Sequence, residues 1–145
     1  MELEQSLFDL WQRPPATLDD PAAAFARVYT DPVLINDLPF TVADIVSRAQ
    51  ALHAAFTEHT IEVVDRMAAP GKLTVAFRHR ARHTGVWRTP LGDLPPTGRI
   101  VTGLGIDVLT VDAEGRVSRI WVLADELQRI LQVSDADRLG VPDPR

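Results

Sequence analysis

The sequence predicts an α+β domain with helices on one face of an antiparallel sheet, and two features carry that prediction. Apolar residues recur at helical spacing as far as Thr57, then at a spacing of two from Thr60 to Leu123. Turn signals at Ala68-Ala69-Pro70-Gly71 and Asp112-Ala113-Glu114-Gly115 divide the second region into long strands. Helices followed by a strand meander are the pattern of this fold class.

The elements follow in order. Ser6 to Gln12 is a short apolar-rich turn or helix stopped by Pro14-Pro15. Thr17-Leu18-Asp19-Asp20-Pro21 starts a second helix with proline set for its first turn, and Phe25, Val28 and Tyr29 share one face. Asp31-Pro32 breaks it, and Val33 to Asn36 is a short strand. Thr41-Val42-Ala43-Asp44 opens a longer helix to about Thr57, with a stripe of Ile45, Ala49, Leu52 and Phe56. Strands follow at Thr60–Met67 and Lys72–Thr84, then a Pro- and Gly-rich loop (Gly92 to Gly98), then strands at Ile100–Val111 and Arg116–Leu123. Asp125 to Leu131 closes the fold, with Asp125 placed to cap the last helix. The whole chain, 1–145, reads as one domain, with residues 1–20 as an N-terminal extension and 134–145 as a loose tail.

A chain of 145 residues can bury a core without crosslinks, and it has no cysteine, so disulfides and Cys-ligated metals are excluded. A net charge of −5 argues against nucleic acid as a partner. No window approaches a membrane span, and the acidic Met1-Glu2-Leu3-Glu4-Gln5 start is unlike a secretory signal, so the expected location is cytoplasmic.

Asp107 is the most informative polar residue. Alternation sets it on one strand face with Val101, Gly103, Gly105, Leu109 and Val111, a carboxylate among apolar and small groups. Burial there raises its pKa toward what a general acid or base requires; the alternative is a core carboxylate satisfied by a hydrogen bond. Gly103 and Gly105 mark either a bend in the sheet or space for a ligand, and curvature alone is the simpler account. His79 and His83 share a face with Leu73, Val75, Phe77 and Ala81, so His79 can point inward and exchange a proton with Asp107. On a strand, His79 and His83 are too far apart to chelate one ion, and no metal or other cofactor is expected. Arg78, Arg80 and Arg82 fill the opposite face, with Arg119 near them, as a salt-bridged or solvated row. His53 and His59 read as surface. Tyr29 and Asn36 flank the first strand as hydrogen-bond donors. Trp11, Phe25, Phe40, Phe56, Trp87 and Trp121 are candidates to line a pocket, with Phe25 and Phe56 defaulting to core because of their helical spacing and Trp87 the better lid residue.

His83-Thr84-Gly85, Leu94-Pro95-Pro96-Thr97-Gly98-Arg99, Gly105-Ile106-Asp107-Val108 and Glu114-Gly115-Arg116-Val117, followed by Trp121 and Asp125, form an ordered set. In order and spacing the set resembles the SnoaL-like polyketide cyclase family, within the nuclear-transport-factor-type cone fold. The similarity runs best from Leu73 to Val133, with Tyr29-Thr30-Asp31-Pro32-Val33 and Leu52-His53-Ala54-Ala55-Phe56 in family-like positions before it. The resemblance implies a curved sheet wrapped around the helices as one wall of a cone-shaped pocket, a small hydrophobic ligand and a homodimer. It also implies cofactor-free aldol chemistry driven by an aspartate on the last strand and a histidine on the strand before it. Here the histidine's place falls on Asp107 and the aspartate's on Val122, so the usual cyclase pair is missing.

Three readings follow. One is a cofactor-independent enzyme of isomerase, cyclase or dehydratase type acting on a hydrophobic carbonyl compound. In it Asp107 and His79 are catalytic, and Tyr29, Asn36, Phe56, His83, Trp87 and Val122 line the ligand site. The others are a non-catalytic ligand-binding domain and a dimerisation module that works through its outer sheet face.

Overall fold

The computed structural model describes residues 2–134. Helices α1 (Leu3–Gln12), α2 (Pro21–Ala26) and α3 (Val42–Ala55) precede most of the sheet, and α4 (Glu126–Val133) follows it. Strands are β1 (Tyr29–Ile35), β2 (Leu38–Phe40), β3 (Phe56–Ala69), β4 (Lys72–His83), β5 (Trp87–Thr89), β6 (Gly92–Leu94), β7 (Ile100–Val111) and β8 (Val117–Ala124). Six of them form one curved sheet in the order β2-β1-β8-β7-β4-β3, and β5 and β6 make a separate hairpin. All its pairings are antiparallel except β1 with β8.

The α+β architecture predicted from the sequence is present, and differences lie at element ends and in loops. The sequence begins the first strand at Val33; it begins at Tyr29, because that segment pairs with β8 rather than continuing α2. Strand β2 and the β5–β6 hairpin have three residues per strand, too few for alternation to show. The third helix ends at Ala55, and β3 starts at once at Phe56.

Helix α3 is fixed at its start by a reciprocal capping box: Asp44 N donates to Thr41 Oγ1 at 3.1 Å and Thr41 N to Asp44 Oδ2 at 2.9 Å. Its buried residues include Ile45 and Ala49, as its stripe predicts. Asp125 caps α4 by accepting from Gln128 N at 3.3 Å. Helix α1, which the sequence reading assigns to an N-terminal extension, contributes Leu7, Phe8 and Leu10 to the main core. The buried Glu4 carboxylate ties it to Arg66 of β3 at 2.6 Å.

Strand β3 bends at an irregularity between Thr57 and Thr60, where three steps on β3 face two on β4. Glu58 takes up the extra residue with φ of 56°, and its carboxylate turns outward to Arg82. The neighbouring His59 is thereby turned inward against His79. Two apolar clusters fill the interior: one around Phe25, Val33, Ile45 and Leu109, the other around Phe56, Ala81, Val101 and Ile130.

Candidate functional site

A cavity of about 300 Å³ lies between the helices and the inner sheet face. Its lining is largely apolar, with Asp107, Tyr29, His79, Arg48 and Arg129 as the charged or polar exceptions. The polar groups gather at two separate poles.

At the first pole Asp107 projects from β7, flanked in register by Val75 of β4 and Val122 of β8. Neither neighbour offers a hydrogen bond, and the residue is only 9% exposed. Burial alone pushes its carboxyl from 3.8 up to about 6. Tyr29 sits in the same lining, and burial drives its phenol pKa upward, against the opposing Trp11 hydrogen bond and with a smaller push from the negative charge of Asp107. Trp11 Nε1 donates to Tyr29 Oη at 2.6 Å. An indole N–H can only donate, so the phenol oxygen is the acceptor and its own proton stays available to the cavity.

The second pole holds histidines. His59 Nε2 lies 2.9 Å from Phe56 O, and only a protonated Nε2 can make that bond. With both rings neutral, His59 Nδ1 then accepts from His79 Nε2 at 3.0 Å. This leaves the Nδ1 lone pair of His79 unused among the described residues. Burial first, then the Arg129 charge, depresses His79 from 6.5 to about 3, so it is neutral near pH 7. His53 packs against His59 with ring centroids 4.3 Å apart and planes tilted by 49°, and is held to Trp11 O at 2.8 Å. The sequence reading leaves His53 and His59 on the surface. Both are half-buried, because the β3 bulge turns His59 in and the end of α3 packs on α1 through His53.

The direct proton exchange between His79 and Asp107 that alternation allows is not made. His79 faces Gly103 in the ladder and Asp107 faces Val75, four residues further along β7. That offset is about 13 Å of strand. The ring of Phe77 lies between them: a Cβ at Gly105, its ladder partner, would sit 2.5 Å from Phe77 Cζ. Gly103 likewise clears a path for the Arg129 side chain, whose Cδ would be 2.4 Å from an added Cβ. The two glycines thus admit side chains rather than only bending the sheet.

The remaining predicted residues separate. Val122 lines the cavity directly opposite Asp107, so the carboxylate stands one strand over from the aspartate position that the resemblance implies. Asn36 is not in the lining; its side chain is spent on the Val122 backbone, accepting from N at 2.9 Å and donating to O at 3.1 Å. Phe56 and Trp87 border a second hollow, which shares Arg48, Leu52 and Arg129 with the cavity. His83 lies behind them, fully buried, with Nδ1 3.1 Å from Thr97 Oγ1, as part of the packing around Phe56. Of the other aromatic candidates, Trp11 lines the cavity, Phe25 is core, and Trp121 is on the outer face beneath Arg119. Arg78 and Arg82 pair with Glu62 and Glu58 of β3, in keeping with a salt-bridged row, whereas the register sets Arg119 opposite Thr110, away from that row, where it pairs with Asp37.

Arg129 and Arg48 are the charged cavity residues that sequence reasoning missed. Gly103 is the one signal for Arg129, and it becomes readable only once α4 is known to cross that strand.

Comparison with known proteins agrees with this fold. AclR from Streptomyces galilaeus superposes with a TM-score of 0.72 at 21% identity, over 99% of this chain and 82% of its own. A SnoaL-like polyketide cyclase from Agrobacterium tumefaciens gives 0.71 at 15%, over 91% and 95%. A Catenulispora acidiphila protein of ketosteroid isomerase-like fold, in complex with trimethylamine, gives 0.66 at 10%, over 97% and 94%. At these identities the likeness establishes the fold. No curated protein matches the sequence significantly. The family model for SnoaL-like polyketide cyclases matches residues 9–133, and the chain belongs to that family.

Proposed function

We propose that the cavity is the active site of a cofactor-independent acid–base enzyme, of isomerase, cyclase or dehydratase type, acting on a hydrophobic carbonyl compound. The observation that carries this reading is Asp107: a desolvated carboxyl, raised to about 6, in an otherwise apolar lining beside a phenol with a free proton. In the proposed step the Asp107 carboxylate removes a proton from the carbon next to the substrate carbonyl. The C–H electron pair moves into the carbonyl, and Tyr29 donates to the developing oxyanion. Protonated Asp107 then returns the proton to a carbon or an oxygen of the intermediate. A base of pKa near 6 is ionised at neutral pH yet remains a good proton carrier. His79, at the other pole, is neutral and bears on orientation of the ligand.

A screen of aryl and alkyl ketones for α-proton exchange, read as deuterium incorporation, tests this. For a substrate so found, kcat/KM should rise with pH to a plateau, with its half-point near 6. A rate flat from about pH 4.5 to 8 contradicts it, and so does exchange that survives intact in Tyr29→Phe, where a loss of about 100-fold is expected. A non-catalytic binder is the rival reading. It is favoured by Val122, which keeps the wall apolar where the resemblance implies an aspartate.

We also propose that the outer sheet face joins two copies of this chain. Ile106 pairs with Leu123 and Val108 with Trp121 across β7 and β8, leaving an apolar strip whose most open member, Leu123, is 79% exposed. A second copy offers the same strip, as an isologous contact requires. Leu123→Glu should convert a dimer to a monomer in sedimentation velocity, and an unchanged sedimentation coefficient contradicts the proposal.

A further inference from the structure

Arg129 brings more hydrogen-bond donors to the cavity than the structure uses. It arises from α4, passes over Gly103, and has a side chain only 12% exposed. Its guanidinium lies 5.6 Å from the ring centre of Phe56 and 5.2 Å from that of Trp87. Nη1 is bound to Glu126 Oε2 at 3.1 Å. Nε and Nη2 are buried and have no partner among the described residues. Those two nitrogens form the side edge of the guanidinium, the edge that grips a carboxylate with two parallel hydrogen bonds. Leaving it unmet is costly, because a buried charged donor without an acceptor forfeits its hydration.

Among the described residues, the neighbouring groups do not supply the missing acceptor. Asp107 owes its raised pKa to burial, whereas a guanidinium partner would pull it down, and it stands at the opposite pole beyond Phe77. The imidazoles of His59 and His79 are kept neutral in part by the Arg129 charge and offer no anion. Arg48, held over Phe40 at 4.3 Å, adds a second guanidinium to the lining of both the cavity and the adjoining hollow. The aromatic rings of Phe56 and Trp87 stabilise the guanidinium through their faces and supply no acceptor for its N–H groups.

We infer that the ligand is an anionic, carboxylate-bearing compound whose carboxylate is received by the Nε–Nη2 edge of Arg129, with the reacting carbonyl at the Asp107–Tyr29 end. The inference rests on the cavity being the ligand site and deepens that reading by naming the substrate class. It makes Arg129 a binding and specificity-determining residue, while proton transfer stays with Asp107. Phe77 separates the two ends, so an apolar spacer runs between the carboxylate and the carbonyl. A keto acid of that length fits both poles, and a simple ketone meets only one.

The full chain is titrated calorimetrically with 7-oxo-7-phenylheptanoate and with its methyl ester, which keeps the shape and removes the charge. The acid should bind at least about tenfold more tightly than the ester, the scale of a charge-assisted, bidentate contact. Arg129→Gln should bring the two affinities together by weakening the acid alone; unchanged ester binding shows that the variant is folded. Arg129→Lys, which keeps the charge without the edge, should retain only part of the preference. Equal affinities in the wild type, or a tenfold preference that survives Arg129→Gln, would overturn the inference. Binding does not require turnover, so Asp107→Asn should keep the acid preference. A wild type that exchanges ketone α-protons but does not prefer the acid sinks this inference and leaves the enzymatic reading standing. Binding of neither probe contradicts both.

Discussion

Asp107→Asn is expected to remove turnover and, at neutral pH, to make the protein more stable. Loss of the acid–base group should reduce kcat by about 10² to 10⁴. The stability gain follows from the same desolvation that tunes the carboxyl. Its pKa is 3.8 when exposed and about 6 in the fold, so between those values the native state holds a proton that the unfolded chain has released. Stability therefore falls as pH rises through that window, and above it the ionised, buried carboxylate costs about 3 kcal/mol. Asparagine keeps the size and removes the charge. Urea unfolding at pH 7.5 should show the variant stabilised by up to about 3 kcal/mol, less whatever the buried amide costs, and the gain should vanish below about pH 4. His79 works in the opposite sense. Its folded pKa is lowered from 6.5 to about 3, so its contribution is full above 6.5 and is lost as pH falls toward 3. The two slopes oppose each other between about pH 4 and 6 in the wild type, and Asp107→Asn should expose the histidine slope. A variant less stable than wild type at pH 7.5 would show that the carboxylate is satisfied by contacts rather than strained by burial. A gain in stability with loss of activity is the usual mark of a residue held for function.

Gly85→Ala is expected to be among the most destabilising single-methyl additions in the chain. A Cβ there would lie 1.8 Å from Ala54 O, a backbone atom with no freedom to swing away. The contact exists because Thr84 N and Gly85 N both donate to Ala55 O at 3.0 Å, stapling the end of β4 to the end of α3. Relieving it means separating those two elements beside Phe56 and His83. Overpacking on this scale costs about 3 kcal/mol, roughly 10 °C in melting temperature for a domain of this size. A thermal melt within about 2 °C of wild type would contradict so close an approach of β4 to α3. The comparable addition at Gly103 meets the flexible chain of Arg129, so Gly103→Ala should cost less.

What the sequence made legible is what alternation and turn chemistry encode. The inner faces of β4 and β7 hold the residues that parity assigns to them, so Asp107, His79 and Val101 all point inward. The capping residues Thr41, Asp44 and Asp125 act where their spacing puts them. Parity fixes a face but not a position along the ladder. For that reason the register of β4 on β7, which separates His79 from Asp107, was beyond its reach. The bulge at Glu58 was hidden too, because a non-glycine residue in left-handed conformation carries no sequence flag, and with it went the inward turn of His59. Arg129 carries no such flag, because in sequence an arginine on a short helix looks like any solvated cation. Only the tertiary crossing over Gly103 shows that its guanidinium is buried. Asn36 erred the other way: a polar residue beside the first strand resembles a ligand donor, but its amide completes the hydrogen bonding of β8 at Val122.

The acid–base role proposed for this cavity rests on one desolvated carboxyl, and its titration can be read directly on that group. Carbon-13 NMR of the protein labelled in its aspartate side chains, with Asp107→Asn to assign the resonance, follows the Asp107 carboxyl through pH. A midpoint near 6 is the result that burial in this lining predicts. A midpoint at or below the ordinary 3.8 would mean that water or a cation reaches the carboxylate, and desolvation could not then be what equips Asp107 for proton transfer.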